Sequence, residues 1–251
     1  MYKKFETEIS WKFVQEIGKE LGKPMVILGG WAVYFVVNDK FRSLEGKNYL
    51  GSKDLDIGFY MEKNWDEKQI KDSKFAKELK ILENIGFRPR SFRLVQEFHT
   101  ETKTKLTLEE ARIIPYHLIT SVYIDPIVNV IPNDFKKVFG FTPIDEPLLD
   151  LVFKEENIKI EDFIIPTPEV LLAMKLNSVL TRDKEHKRIK DICDIFALLQ
   201  YSKLSINKFL KIYKMNKALE VIGQLEVDKP AEILGIDKNI IMGVFENIKE
   251  R

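Results

Sequence analysis

Two neighbouring segments, "MVILGGWAVYFVVND" and "SKDLDIGFYM", constrain the fold more than any other part of this chain. Residues 25–30 form a short apolar run stopped by Gly29 and Gly30, and "WAVYFVVND" after them carries the pattern of a helix. In the second segment the spacing predicts a strand over 54–61. Side chains alternate across a strand, so Asp54 and Asp56 share one face while Leu55 and Ile57 take the other, toward the core. Two carboxylates held that close raise each other's pKa unless a cation lies between them, and a hard divalent ion such as magnesium is the natural one. Such a site serves phosphoryl or nucleotidyl transfer, in which metal ions bridge carboxylates and phosphates. The glycines complement it, because backbone N–H groups at a helix N-terminus, here Gly29, Gly30 and Trp31, approach phosphate oxygens. Taken singly, Gly-Gly is also an ordinary tight turn, and Asp-x-Asp a solvated face or the start of a calcium loop.

Elsewhere the front half mixes elements. Ile9, Phe13, Ile17 and Leu21, four apart, predict a helix over 8–22 closed by Gly22 and Pro24. Residues 38–53 are polar and predict a loop; 66–86 predict one amphipathic helix, 87–107 a hairpin, and 117–131 a β-branched strand in which Pro126 marks an edge or a bulge. After Pro147 come a small hairpin within 152–168, a helix that starts at Pro168 under a Thr167 cap, and helices over about 186–200, 205–222 and 238–249. The expected class is α+β: a mixed sheet flanked by helices in a domain over 1–147, then a mainly helical domain over 148–251.

Composition narrows the chemistry. Cys193 is the single cysteine and three histidines stand at no ligand spacing, which excludes an internal disulfide and a soft-metal cluster. No apolar run is long enough to span a membrane and the N-terminal stretch lacks the core of a signal peptide, so a cytoplasmic protein without a membrane partner is expected. A net charge of +1 does not suit a general nucleic-acid coat, and the richness in Lys, Glu and Ile is typical of chains from hyperthermophiles.

"LGGWAVYF" and "SKDLDIGF" resemble the hallmark of the polymerase-beta-type nucleotidyltransferase superfamily, a Gly-Gly or Gly-Ser turn followed by Asp-x-Asp on the next strand. "IIPTPEVLLAMKLNSVLTRDKEHKRIKDICDIFALL" is similar to the C-terminal signature of AbiEii-like nucleotidyltransferases, which include toxins of type IV toxin–antitoxin systems; the matching positions are Pro168, Lys175, Arg182, Lys190, Asp191 and Asp194. The resemblance implies a nucleotidyltransferase fold and a third acid on a later strand, Asp125 in "SVYIDPIVNV", with Glu97 in reserve. It implies that Asp54, Asp56 and Asp125 hold two Mg2+ ions, that Gly29, Gly30 and Ser52 hold the β and γ phosphates, and that Lys175 and Arg182 face phosphate while Asp191 lies near the acceptor. The implied partners are a nucleoside triphosphate, an RNA, protein or small-molecule acceptor, and a cognate antitoxin.

Plainer readings stand beside these. Asp125 also suits a turn opened before Pro126, Lys175 an exposed helix position, Arg182 a solvated helix end, and Asp191 and Asp194 surface pairs with Lys187 or Lys190. The chain also departs from the superfamily pattern: residues 31–53 make a long link between Gly30 and Asp54, and Leu50 stands where many members carry an arginine that only Arg42 or Lys47 would replace. The alternative is therefore a degenerate nucleotidyltransferase fold that binds or regulates without turnover.

Overall fold

The computed structural model describes residues 4–154, 156–160 and 162–249. Helix α1 (Lys4–Glu20) buries the stripe that carries Ile9, Phe13 and Ile17. Strand β1 (Met25–Leu28) is wholly buried and runs straight into helix α2 (Gly29–Glu45), which Gly46 ends in the left-handed conformation with φ 70°. Residues 38–45, expected as a loop, thus continue the helix: Asn38 and Phe41 are buried, and the polar residues between and after them form its outer face. Most of the apparent long link is helix, and the real connection to β2 (Leu55–Phe59) is short.

The expected helix over 66–86 is two, α3 (Glu67–Asp72) and α4 (Lys74–Asn84), because Ser73 turns to an extended backbone and its hydroxyl caps the Ala76 N–H. Strands β3 (Arg88–Arg90) and β4 (Arg93–His99) form the expected hairpin. Helix α5 (Leu108–Ile113) leads to β5 (Ile119–Val128), followed by α6 (Phe135–Phe139), β6 (Ile144–Asp145) and α7 (Leu149–Lys154). The hairpin of β7 (Asn157–Ile160) and β8 (Phe163–Pro166) precedes, among the described residues, six α-helices: α8 (Pro168–Ser178), α9 (Glu185–Tyr201), α10 (Ile206–Ile212), α11 (Met215–Ile222), α12 (Asp228–Leu234) and α13 (Lys238–Glu246). Pro168 opens α8 as expected, but Thr167, although at the cap position, makes no capping bond.

One mixed open sheet, flanked by helices, runs in the order β3-β4-β5-β2-β1-β8-β7, with β6 beside the end of β5. Its middle joins the consecutive strands β1 and β2, which lie antiparallel, to partners far away in sequence: β2 lies parallel to β5, and β1 parallel to β8. Residues 148–251 therefore supply two strands of this sheet as well as helices, and the main apolar cluster draws on both sides of residue 147. Pro126 is not on an edge strand; β4 pairs with β5 as far as Ile124 and β6 from Ile127, and the proline falls in the gap. Helix α9 packs against α2, α8, α12 and α13 and buries Ile192, Ile195, Phe196 and Leu199. Among the described residues no helix is long and apolar enough to cross a membrane.

Candidate active site

The strand wall of the site follows from register. Asp56 on β2 stands beside Asp125 on β5 and, on its other flank, beside Leu28 at the end of β1. Asp125 is 5% exposed inside the sheet, so it does not open a turn. Asp54 enters just before β2, two residues from Asp56 and on the same face. Gly29 makes the crowding possible: it has φ +62°, and a Cβ there would lie 1.7 Å from Oδ2 of Asp56. A Cβ on Gly30 would press at 2.9 Å on the Cβ of Ser52 and stand 3.6 Å from Nζ of Lys190. The Gly-Gly turn is thus where the strands, the Ser52 loop and the later helices close on one another. Leu28, at the cap position of α2, gives its first N–H groups no side-chain cap.

Two cations answer these carboxylates. Nε of Arg93, at the start of β4, donates to Oδ1 of Asp125 at 2.7 Å, its Nη2 also pairs with Asp125, and the same Nη2 lies 3.4 Å from Oδ2 of Asp54. The guanidinium stands 4.2 Å over the Tyr123 ring. Nζ of Lys187 lies 3.3 Å from Oδ2 of Asp54. The carboxylate of Asp56 has no hydrogen bond or ion pair with any described residue. Burial, then Asp125 and Asp54, push its carboxyl up to about 7, against a weaker pull from Lys175 and Lys187.

The helix wall is a buried ion network. Nζ of Lys175 on α8 lies 2.5 Å from Oδ1 of Asp191 and 2.7 Å from Oδ2 of Asp194, both on α9. Nε of Arg182 donates to Oδ2 of Asp191 at 2.7 Å. Lys190 pairs with Asp194 and sits 5.1 Å over the ring of Tyr49, whose hydroxyl donates to Oδ1 of Asp194 at 2.8 Å. Lys175, Asp191 and Asp194 are 7%, 3% and 0% exposed, which overturns the reading of these residues as surface positions. Burial alone would raise the Asp191 carboxyl, but Lys175 and Arg182 outweigh it and hold the group below its ordinary range.

Both walls line one cavity of about 220 Å³. The sheet side brings Gly29, Gly30, Ser52, Asp54, Asp56 and Asp125, and the helix side brings Lys175, Arg182 and Asp191, so every one of these positions singled out from the sequence meets there. Glu97 does not; it pairs with Arg88 and Arg90 on the outer hairpin. Neither Arg42, paired with Asp39, nor Lys47 reaches the cavity. Sequence reasoning missed Arg93, which only the pairing of Leu94 with Ile124 brings beside Asp125, and assigned no site role to Lys187, hidden in a run of charges. Among the described residues no group of three His, Cys, Asp or Glu side chains is gathered as a ready metal site. The donor chemistry nonetheless suits a hard cation, because three carboxylates converge and one of them, Asp56, has no partner among the described residues.

Compared with known proteins, the chain matches no family model, no curated protein and no solved structure.

Proposed function

We propose that this chain is a magnesium-dependent nucleotidyltransferase that moves a nucleoside monophosphate from a nucleoside triphosphate to a hydroxyl acceptor, in RNA, in a protein or on a small molecule, in a toxin-like setting with a cognate antitoxin. The observation that carries the reading is convergence: three carboxylates from β2, β5 and the loop before β2 face a lysine–arginine–aspartate group from α8, α9 and their link across one cavity. Asp54, Asp56 and Asp125 would hold Mg2+, which when bound neutralises phosphate charge and aligns the triphosphate. Gly29 and Gly30 offer backbone N–H groups at the start of α2, and Ser52 its hydroxyl, to the β and γ phosphates. The acceptor oxygen attacks the α-phosphorus, the bond to the β-phosphate oxygen breaks, and pyrophosphate leaves. The acceptor's proton passes to Asp125, which lines the cavity beside Asp54 and Asp56. Lys175, already neutralised by two aspartates, holds the helix wall in place, while the more exposed Arg182 extends the positive edge of the cavity.

A second reading, a fold that binds nucleotide without turnover, draws on Arg93, which ties up two of the three carboxylates. One experiment separates the two. The protein is incubated with each α-labelled nucleoside triphosphate, Mg2+ and a cell extract, with Asp54→Ala in parallel. Label entering RNA or protein with the wild type alone supports transfer and identifies the acceptor class. Triphosphate bound without transfer favours the second reading, and no triphosphate bound at all overturns both.

A further inference from the structure

A second cavity, about 270 Å³, opens on the other side of Asp54. Four cations line it, Lys53, Arg93, Lys184 and Lys187, against two carboxylates, Glu6 and Asp54. Lys53 is already paired with Glu6 at 2.8 Å. Lys184 has no carboxylate partner among the described residues. Arg93 and Lys187 are paired with acids where this cavity meets the first: Arg93 with Asp125 and Asp54, Lys187 with Asp54. A divalent cation on these carboxylates competes with both partners, since two positive side chains within ion-pair distance of that ion repel it. If the cation takes the carboxylates, Arg93 and Lys187 lose their partners while still lining the second cavity, beside Lys184 and the Tyr123 ring.

We propose that the second cavity is a phosphate subsite for the acceptor, and that Arg93 and Lys187 latch it: they neutralise Asp54 and Asp125 until a divalent cation displaces them, then turn to the acceptor's phosphate. The subsite's role toward an acceptor rests on the transferase reading, but the latch itself requires only the metal. Position supports it, because Asp54 belongs to both cavities and a group anchored in the second stands next to the proposed site of attack. Chemistry supports it too, because a guanidinium that grips a carboxylate with two nitrogens fits a phosphate with the same fork. Metal and anion are thereby coupled: each favours the state in which Arg93 has left Asp125. A backbone phosphate of a nucleic acid and the phosphate of a small sugar share this chemistry.

The first arm titrates Mn2+ alone, read by electron paramagnetic resonance, into the wild type, Arg93→Gln, Lys187→Gln and Lys184→Gln. The latch predicts Mn2+ binding tighter by about tenfold in Arg93→Gln and about threefold in Lys187→Gln, with Lys184→Gln unchanged. Equal or weaker affinity in a folded Arg93→Gln protein overturns it; should that variant fail to fold, equal or weaker affinity in Lys187→Gln, whose side chain is 29% exposed, overturns it instead. The second arm measures inorganic phosphate by calorimetry, with Mg2+ and with a non-hydrolysable triphosphate filling the first cavity. Binding that needs Mg2+ and falls at least fivefold in Arg93→Gln and in Lys184→Gln supports the subsite. Phosphate affinity that ignores Mg2+ or these variants overturns it. Replacing inorganic phosphate by a short single-stranded oligonucleotide or by a sugar phosphate then distinguishes the two sources. A protein that passes the Mn2+ arm but binds no triphosphate keeps the latch and loses the transferase reading.

Discussion

On the strand wall of the cavity three carboxylates, Asp54, Asp56 and Asp125, face two cations, Arg93 and Lys187, and Asp56 is left without a partner among the described residues. On the helix wall two carboxylates, Asp191 and Asp194, face three cations, Lys175, Lys190 and Arg182, and each of these five groups has an opposite charge within 4 Å. The walls line the same cavity and are built from the same chemistry, yet only on the helix wall is every one of these charged groups paired. Burying charge is costly unless it is paired, so the helix wall has the composition of a support. The strand wall has the composition of a receptor: the unpaired carboxylate of Asp56 and the excess of negative charge around it are what a cationic ligand would neutralise.

The sharpest way to break this contrast is to unpair the helix wall. Asp194→Ala strips Lys175 and Lys190 of a shared, fully buried partner and leaves the Tyr49 hydroxyl unpaired. A loss of about 3–5 kcal/mol in unfolding free energy, measured by urea denaturation, is expected for a buried pair broken from one side. A loss under about 1 kcal/mol would remove the support role from the helix wall.

The strand wall should answer in the opposite sense. A carboxyl whose folded pKa is raised binds its proton more tightly folded than unfolded. Its most favourable contribution to stability therefore lies at low pH, fades as pH rises from its ordinary value of 3.8 through about 7, and is flat above that. In metal-free buffer at pH 8, Asp56→Asn should stabilise the fold by roughly 2–4 kcal/mol, the raised pKa converted at about 1.36 kcal/mol per unit and discounted for relaxation. It should also abolish the rise in Tm that Mg2+ gives the wild type. Asp191 behaves in reverse: its depressed pKa contributes stability at neutral pH that is lost as pH falls through and below the usual carboxylate range. Metal-free wild type should thus gain stability on mild acidification and lose it on stronger acidification. Asp56→Asn should show only the loss. Equal melting shifts with Mg2+ in wild type and variant would break the assignment of Asp56 to the receptor wall.

Gly29→Ala sharpens the same point from the backbone. A side chain at φ +62° costs about 1–2 kcal/mol, and the added Cβ occupies the place of Oδ2 of Asp56. The stability loss should be modest while Mg2+-dependent stabilisation disappears, because the carboxylate must swing out of the turn. A variant that keeps its full response to Mg2+ would show that Asp56 need not stand against Gly29.

What the sequence revealed of this arrangement follows from range. Local periodicity placed Asp54 and Asp56 on one face of β2, and the β-branched run placed Asp125 inside a strand, because strand alternation needs only neighbours. The outer face of α2 reads as a loop because Asp39, Lys40 and Arg42 are polar whether solvated on a helix or on a turn; the buried Asn38 and Phe41 settle the matter through contacts beyond any helical period, Asn38 with the Tyr49 N–H and Phe41 with the ring of Tyr201. The β7–β8 hairpin was legible as a hairpin, but its place beside β1 was not, since pairing across more than 130 residues leaves no local period. Arg93 was invisible for the same reason: it becomes part of the site through the register of β4 on β5, and a shift of one residue would turn it to the other face.

Arg182→Ala is the smallest and most discriminating test of the contrast. Its side chain is 40% exposed, and its partner Asp191 keeps Lys175 at 2.5 Å and the Ser178 hydroxyl at 3.3 Å. Removing it therefore leaves the buried Asp191 paired, and the loss of a partly solvated, charge-assisted bond should cost about 1 kcal/mol or less in unfolding free energy. Its effect on ligand binding should be larger than its effect on stability, because Arg182 is the most solvent-accessible cation of the helix-wall network and lines the cavity. Triphosphate affinity falling by about tenfold with a nearly unchanged Tm would give the helix wall a ligand-facing edge on a rigid base. If stability fell as far as in Asp194→Ala while triphosphate affinity held, Arg182 would belong to the support alone, and the positive edge of the nucleotide site would lie elsewhere.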